Sequence, residues 1–306
     1  MLDILIPLFS ENILPIFLAA FAGLLLSKTT QLDPKTVSKI SFYIFSPSLV
    51  FTLLTSNQLE KSKSLQMIGY TVTVTLVVGL IALLAGKLFK FDRRLLAAFM
   101  IVSIFPNAGN FGLSINSLAF GEQALAYASL YYVVSTSMIY TIGVFISSLG
   151  QKSLKDTFFG LFKLPVIYAL LIASIFNLFD LKMPVSIDRS INILGQAAIP
   201  AMLILLGLQL GRVNLSKFKF QIGLASVLRL IAAPLIAILL SSLFNLHNPA
   251  DQAGIIEASM PTAVMMTVLA TEYDLYPQYV TSVVTITTLL SPMIITPLLS
   301  FLGGSF

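Results

Sequence analysis

Long apolar stretches alternate with short polar ones along the whole chain. Ten apolar segments run approximately over residues 4–27, 37–56, 65–86, 95–118, 124–149, 161–179, 191–211, 220–245, 253–271 and 278–302. Each is close to the roughly 20 residues that cross about 30 Å of hydrocarbon as a helix. The connections are short and leave no room for a soluble domain, a linker or a low-complexity tract. The pattern predicts an all-α polytopic membrane protein with ten transmembrane helices. The first segment reads as a helix and not a signal peptide, because Asp3 stands where a basic n-region would and no small-residue cleavage site follows.

The apolar pattern is interrupted in the middle of segment four. Pro106-Asn107-Ala108-Gly109-Asn110-Phe111-Gly112 stands where Leu, Val and Ile would continue a membrane helix. Proline lacks a backbone donor and clashes with the carbonyl four residues back, here that of Val102, while the glycines let the backbone leave helical geometry. The helix is expected to break there. Lipid cannot satisfy the freed N–H and C=O groups, so broken backbone at membrane depth must be buried in protein or line a wet cavity. Asn107 and Asn110 supply polar groups for such a cavity.

A second proline interrupts segment nine, and the two halves of the chain echo one another. Phe45-Ser46-Pro47-Ser48-Leu49 in segment two matches Ala198-Ile199-Pro200-Ala201-Met202 in segment seven. Ile104-Phe105-Pro106-Asn107-Ala108 matches Ser259-Met260-Pro261-Thr262-Ala263. The prolines stand 153 and 155 residues apart, close to half of 306. Five segments in each half make residues 1–150 and 151–306 inverted repeats, with broken, crossing helices in segments four and nine. Secondary transporters often have this architecture, with the site near the midplane where the breaks meet. New helix N-termini there carry partial positive charge and new C-termini partial negative charge, suited to an anion and to a cation or proton donor respectively.

Composition and charge support this class. Hydrophobic residues make up 57% and charged ones only 10%, against roughly a quarter charged in soluble proteins, and mean hydropathy is +0.94. The chain has no cysteine and one histidine, His247, which argues against thiolate or histidine metal sites and excludes a cysteine nucleophile. The net charge of +5 reflects topology and not a nucleic-acid partner. Thirteen Lys and Arg lie in alternate connections beginning with the first: Lys28, Lys35, Lys39, Lys87, Lys90, Arg93, Arg94, Lys152, Lys155, Lys163, Arg212, Lys217 and Lys219. Four lie on the other side, Lys61, Lys63, Lys182 and Arg189, and Arg229 is inside a segment. The positive-inside rule makes the first side cytoplasmic and puts both termini outside.

The run Ile256-Glu257-Ala258-Ser259-Met260-Pro261-Thr262-Ala263-Val264, followed by Ala270-Thr271-Glu272-Tyr273 and Tyr276-Pro277, resembles the ninth helix of the auxin efflux carrier family. Pro106-Asn107 resembles that family's fourth-helix motif, and Gly109-Asn110-Phe111-Gly112 is similar to its bacterial branch, with Ser114 where that branch often has proline. The likeness covers essentially the whole chain and lacks the long cytoplasmic loop of some plant members. It implies a bacterial-type carrier that moves a small organic anion, such as malate or malonate, across the plasma membrane by alternating access. It also implies a scaffold of helices one, two, six and seven, a transport domain of the others, a homodimer, and a site formed by the crossover prolines and the Asn after the first.

The candidate substrate-binding residues are therefore Pro106, Asn107, Gly109 and Asn110, their second-repeat counterparts Pro261, Thr262 and Ala263, and Tyr140 on the wall. Asparagines also satisfy broken backbone in turns, which is the purely structural alternative for Asn107 and Asn110. Tyr131, Tyr132 and Tyr140 in segment five can equally be packing or interfacial anchors. Glu257 lies inside a span, where an ionisable group costs about 2.5–3.5 kcal/mol on insertion scales and faces a cavity or a partner. It is a candidate proton carrier unless it is solvated at the outer boundary, as Glu11 is expected to be. Arg229 must find an anion, carbonyls or water; pairing with Glu257 is the expected arrangement, and attracting an anionic substrate is the alternative.

No Gly-rich phosphate loop, catalytic triad or metal cluster stands out, so the chain is expected to be neither an enzyme nor an ATP-driven pump, and no cofactor is implied. Two other readings stay open. One is a sodium-coupled symporter of the bile-acid-transporter type, drawing on Glu257, Ser259, Thr262 and carbonyls at the crossover. The other is a membrane sensor with a transporter fold.

Overall fold

A computed structural model describes residues 2–30, 32–56, 59, 61–148, 162, 164–210 and 218–304. Described residues are helical apart from short connections and one isolated antiparallel bridge, Pro106 to Thr262. Seven of the helices are long and apolar enough to cross a membrane: α1 Ile4–Thr29, α2 Pro34–Ser56, α3 Ser62–Leu88, α5 Ala108–Ser147, α7 Val185–Gln209, α8 Lys219–Leu243 and α11 Pro277–Phe301. The protein is thus a multi-pass membrane protein. Shorter helices fill the remaining apolar segments: α4 Arg93–Ile104, α6 Pro165–Leu178, α9 Ala250–Ser259 and α10 Met265–Glu272.

Helix starts follow from local chemistry. Asp33 accepts from the Lys35 N–H at 3.1 Å and precedes Pro34, which needs no donor in the first turn of α2. Asp92 caps α4 by accepting from the N–H groups of Arg94 and Leu95 at 3.0 Å each. Pro165 and Pro277 open α6 and α11 in the same way.

The range given for α5 holds two helices, which meet at a kink between the expected segments four and five. The kink is at Gly121, whose φ of 76° and ψ of −169° suit a residue without a Cβ. The boundary expected near residue 150 lies outside the described residues, as do Lys152, Lys155, Lys163, Arg212 and Lys217.

Two groups of helices pack internally. In the first, α1 lies along α7, where Gly23 meets the backbone of Ile204 and Gly207 that of Ala20, approaches that a side chain would block. In the same group α2 packs on α6 through Phe51 and Phe176, with ring centroids 5.5 Å apart, and Asn177 Nδ2 donates to Leu54 O at 2.8 Å. The second group surrounds the buried helix α9, with α3, α5, α8 and α11 against it. Leucines 76, 80 and 84 on α3 and 235, 239 and 243 on α8 form exposed stripes of the kind that face lipid.

The connections gather by end. Phe89 meets Phe220 with centroids 5.0 Å apart, Phe218 meets Tyr276 at 5.2 Å, and Arg94 Nη2 pairs with Asp274 Oδ2 at 2.5 Å. At another place Gln252 Nε2, near the start of α9, donates to Leu302 O just past α11 at 2.8 Å.

Candidate functional site

The two proline breaks satisfy each other. Beyond α4 and α9 the chain is extended, and the two strands of broken backbone lie antiparallel. The Asn107 N–H donates to Pro261 O at 2.7 Å and the Ala263 N–H to Phe105 O at 2.9 Å. The carbonyl of Val102, deprived of its helical donor by Pro106, accepts instead from Thr262 Oγ1 at 2.7 Å. The next two carbonyls, Ser103 and Ile104, accept from Arg229 Nη1 at 3.2 and 2.9 Å. All four carbonyls from Val102 to Phe105 have donors from distant segments, as buried backbone requires.

Arg229 therefore does not make the expected pair with Glu257. Its Nη2 donates to Ala258 O at the end of α9, so its guanidinium ties together the C-terminal ends of α4 and α9. Those ends carry partial negative charge, and the two Nη groups of one planar guanidinium serve three carbonyls, while Nε is buried without a partner. A π-helical turn over Leu228–Ala232 places the side chain, which is 1% exposed. Glu257 is fully buried on α9, not solvated at a boundary, whereas Glu11 is exposed. Glu257 Oε1 accepts from Asn116 Nδ2 at 3.1 Å, while Glu257 Oε2 and Asn116 Oδ1 are buried without a partner. The carboxylate rests where a Cβ on residue 112 would be, which gives Gly112 a specific reason to lack one.

On the other side of the crossover lies a cavity of about 130 Å³. It brings together Pro106, Asn107, Gly109, Asn110, Ala263 and Tyr140 from the expected set. Pro261, Thr262, Glu257 and Arg229 are not among its lining residues; Pro261, Thr262 and Arg229 bond across the breaks, and Glu257 bonds Asn116. Tyr132 lines the cavity, with its ring 2.8 Å from where a Cβ on Gly109 would be, whereas Tyr131 is buried elsewhere beside Tyr70. Asn107 Nδ2, Ser41 Oγ, Ser135 Oγ and Gln209 Oε1, all on residues that line the cavity, are buried without hydrogen-bond partners. These are two kinds of unfilled capacity, an amide donor with two hydroxyls and an amide acceptor. The cavity opens into a wider space of about 820 Å³ bounded by Lys35, Lys39, Thr271 and Glu272, with Phe42, Tyr140, Gln209 and Val268 common to both.

Sequence reasoning missed Ser41, Ser135, Gln209 and Asn116. Gln209 and Asn116 carried a signal, being amides inside apolar segments. The serines carried none, since a serine in a membrane helix normally bonds its own backbone. Ser114 does so, donating to Asn110 O at 3.2 Å within the exit from the first break.

Helices of membrane-crossing length, a mutually bonded pair of breaks and a polar cavity beside them are features expected of a membrane transporter. Sequence comparison agrees. The profile of the family described as Membrane transport protein matches residues 8–157 and 151–299, and the chain belongs to that family. It is 32% identical over 273 residues to an uncharacterized transporter of Methanocaldococcus jannaschii, covering 85% of this chain and 87% of that one. A second uncharacterized transporter, from Methanothermobacter thermautotrophicus, is 29% identical over 291 residues, covering 92% and 94%. A putative malonate transporter of Rhizobium meliloti is 24% identical over 299 residues, covering 94% and 93%. The family and these relatives are transporters and not enzymes, and the resemblance to auxin efflux carriers is borne out.

Proposed function

We propose that this protein is a secondary carrier that moves a small carboxylate across the plasma membrane by alternating access, with its substrate site in the cavity beside the crossover. The observation that carries this reading is Asn107. Its backbone is fixed by the partner break through Pro261 O, the residue lines the cavity, and its side-chain Nδ2 is buried there with no partner. A neutral donor held rigidly in a buried site suits an anionic oxygen, because charge-assisted hydrogen bonds are roughly twice as strong as neutral ones. The malonate named for the Rhizobium meliloti relative makes short dicarboxylates the first compounds to try.

Ten crossings in two inverted repeats, residues 1–150 and 151–306, are part of the same proposal. The antiparallel meeting of Pro106 with Thr262 supports it, as does the grouping of connections by end. The packing of α1 on α7 and of α2 on α6 supports a scaffold of segments one, two, six and seven. Positive residues at the mouth, Lys35 and Lys39, support a cytoplasmic open side with external termini, and the resemblance to the family supports a homodimer. A sodium-coupled symporter is the second reading. Glu257 Oε2 and Asn116 Oδ1 favour it, being buried acceptors without donors.

The test is uptake of labelled organic acids into proteoliposomes under separately imposed proton, sodium and electrical gradients. Saturable flux of a dicarboxylate is expected, and the gradient that drives it identifies the coupling. Folded, inserted protein that moves no acid of the panel refutes the carboxylate assignment. Ligand binding without flux favours a sensor.

A further inference from the structure

We propose that Arg229 is the resident cation of the crossover: its guanidinium fills the place between the C-terminal ends of α4 and α9 where a coupling sodium ion would bind, so the protein moves its substrate without sodium. Carbonyls at the C-terminal ends of broken helices are what coordinate cations in transporters of this architecture. Here Ser103 O and Ile104 O from one break and Ala258 O from the other are taken by one side chain. Arg229 comes from α8, a helix outside both breaks, so neither half-helix supplies its own counter-charge.

The charge balance points the same way. Arg229 is almost fully buried, and no carboxylate lies within ion-pair distance of it among the described residues. A buried charge must be neutralised or hydrogen-bonded, and here partial charges of roughly −0.5 at each helix end do this. A guanidinium does not give up its proton in proteins, so this cation neither leaves nor titrates during transport. Glu257 and Asn116 form a separate cluster, and a proton on the Glu257 carboxyl group removes its charge without any metal ion. With the positive charge built in, each substrate anion crosses with its own charge uncompensated by sodium.

Melting temperature of the purified full chain in sodium chloride, compared with choline chloride, tests this for the wild type, Arg229→Lys and Arg229→Ala. The wild type and Arg229→Lys are expected to melt alike in both salts. Arg229→Ala is expected to melt lower and to recover by about 3 °C when sodium or free guanidinium occupies the vacated carbonyls. A purely structural arginine would lower the melting temperature without making it depend on a cation. Sodium-dependent stabilisation of the wild type overturns the proposal, and so does an Arg229→Ala protein indifferent to both cations. If Arg229→Ala does not fold, sodium dependence in the wild type or Arg229→Lys overturns it and indifference in both supports it. The flux consequence rests on the carrier reading: uptake of malonate is expected to be equal in sodium and choline. Absence of any flux would count against that reading and leave the melting result standing.

Discussion

Asn107 has two jobs that separate cleanly. Its N–H belongs to the crossover, whereas its side-chain Nδ2, on a residue that lines the cavity, takes no part in it. Asn107→Ala keeps the first and removes the second. The Nδ2 group has no hydrogen-bond partner within the protein, so its loss leaves nothing orphaned and is expected to change stability by less than about 1 kcal/mol. Substrate binding is expected to weaken by about 10- to 100-fold, the worth of one hydrogen bond to a charged group. Titration of malonate by calorimetry, with size-exclusion chromatography to confirm a folded protein, checks both halves. Wild-type affinity in Asn107→Ala would move the site away from this cavity.

The paired breaks depend on Thr262 in a way that is testable without any substrate. Its hydroxyl is the donor that replaces the missing Pro106 N–H at Val102 O. Thr262→Val keeps the shape but leaves that carbonyl buried and bare, at a cost of about 1–3 kcal/mol. The melting temperature is expected to fall in Thr262→Val and to be largely kept in Thr262→Ser; equal melting of the two would mean that the carbonyl has another donor. Much of this element was readable from the chain. Pro106 announced the break and named Val102 as the injured carbonyl, because both effects are local to one turn. Its repair was not readable, since Thr262 is 160 residues away and any hydroxyl or cation would serve. Arg229 illustrates the same limit. Its need for a partner followed from burial, but the choice of carbonyls over Glu257 depended on how α8 crosses the breaks. The interruption at Gly121, by contrast, falls in the expected connection between segments four and five, because a glycine between two apolar runs is a local signal.

The cavity and the wider space beyond it share walls, so the molecule as described is open toward Lys35 and Lys39 and closed toward Glu257 and Asn116. Alternating access requires a second state with the opposite access, and the absence of native cysteine makes the difference measurable. Val268 is 45% exposed, lies on both walls and carries no hydrogen bond that a substitution would break. Val268→Cys is expected to react with a membrane-impermeant maleimide from the cytoplasmic face, in inside-out vesicles and not in right-side-out ones. Saturating malonate is expected to slow the reaction, either by occupying the cavity or by drawing the protein into the state closed on that side. Arg94 and Asp274 tie the α3–α4 connection to the α10–α11 connection. Reaction of Val268→Cys only from the external face would invert the assigned topology, and a reaction rate that saturating malonate leaves unchanged would move the substrate site away from this cavity.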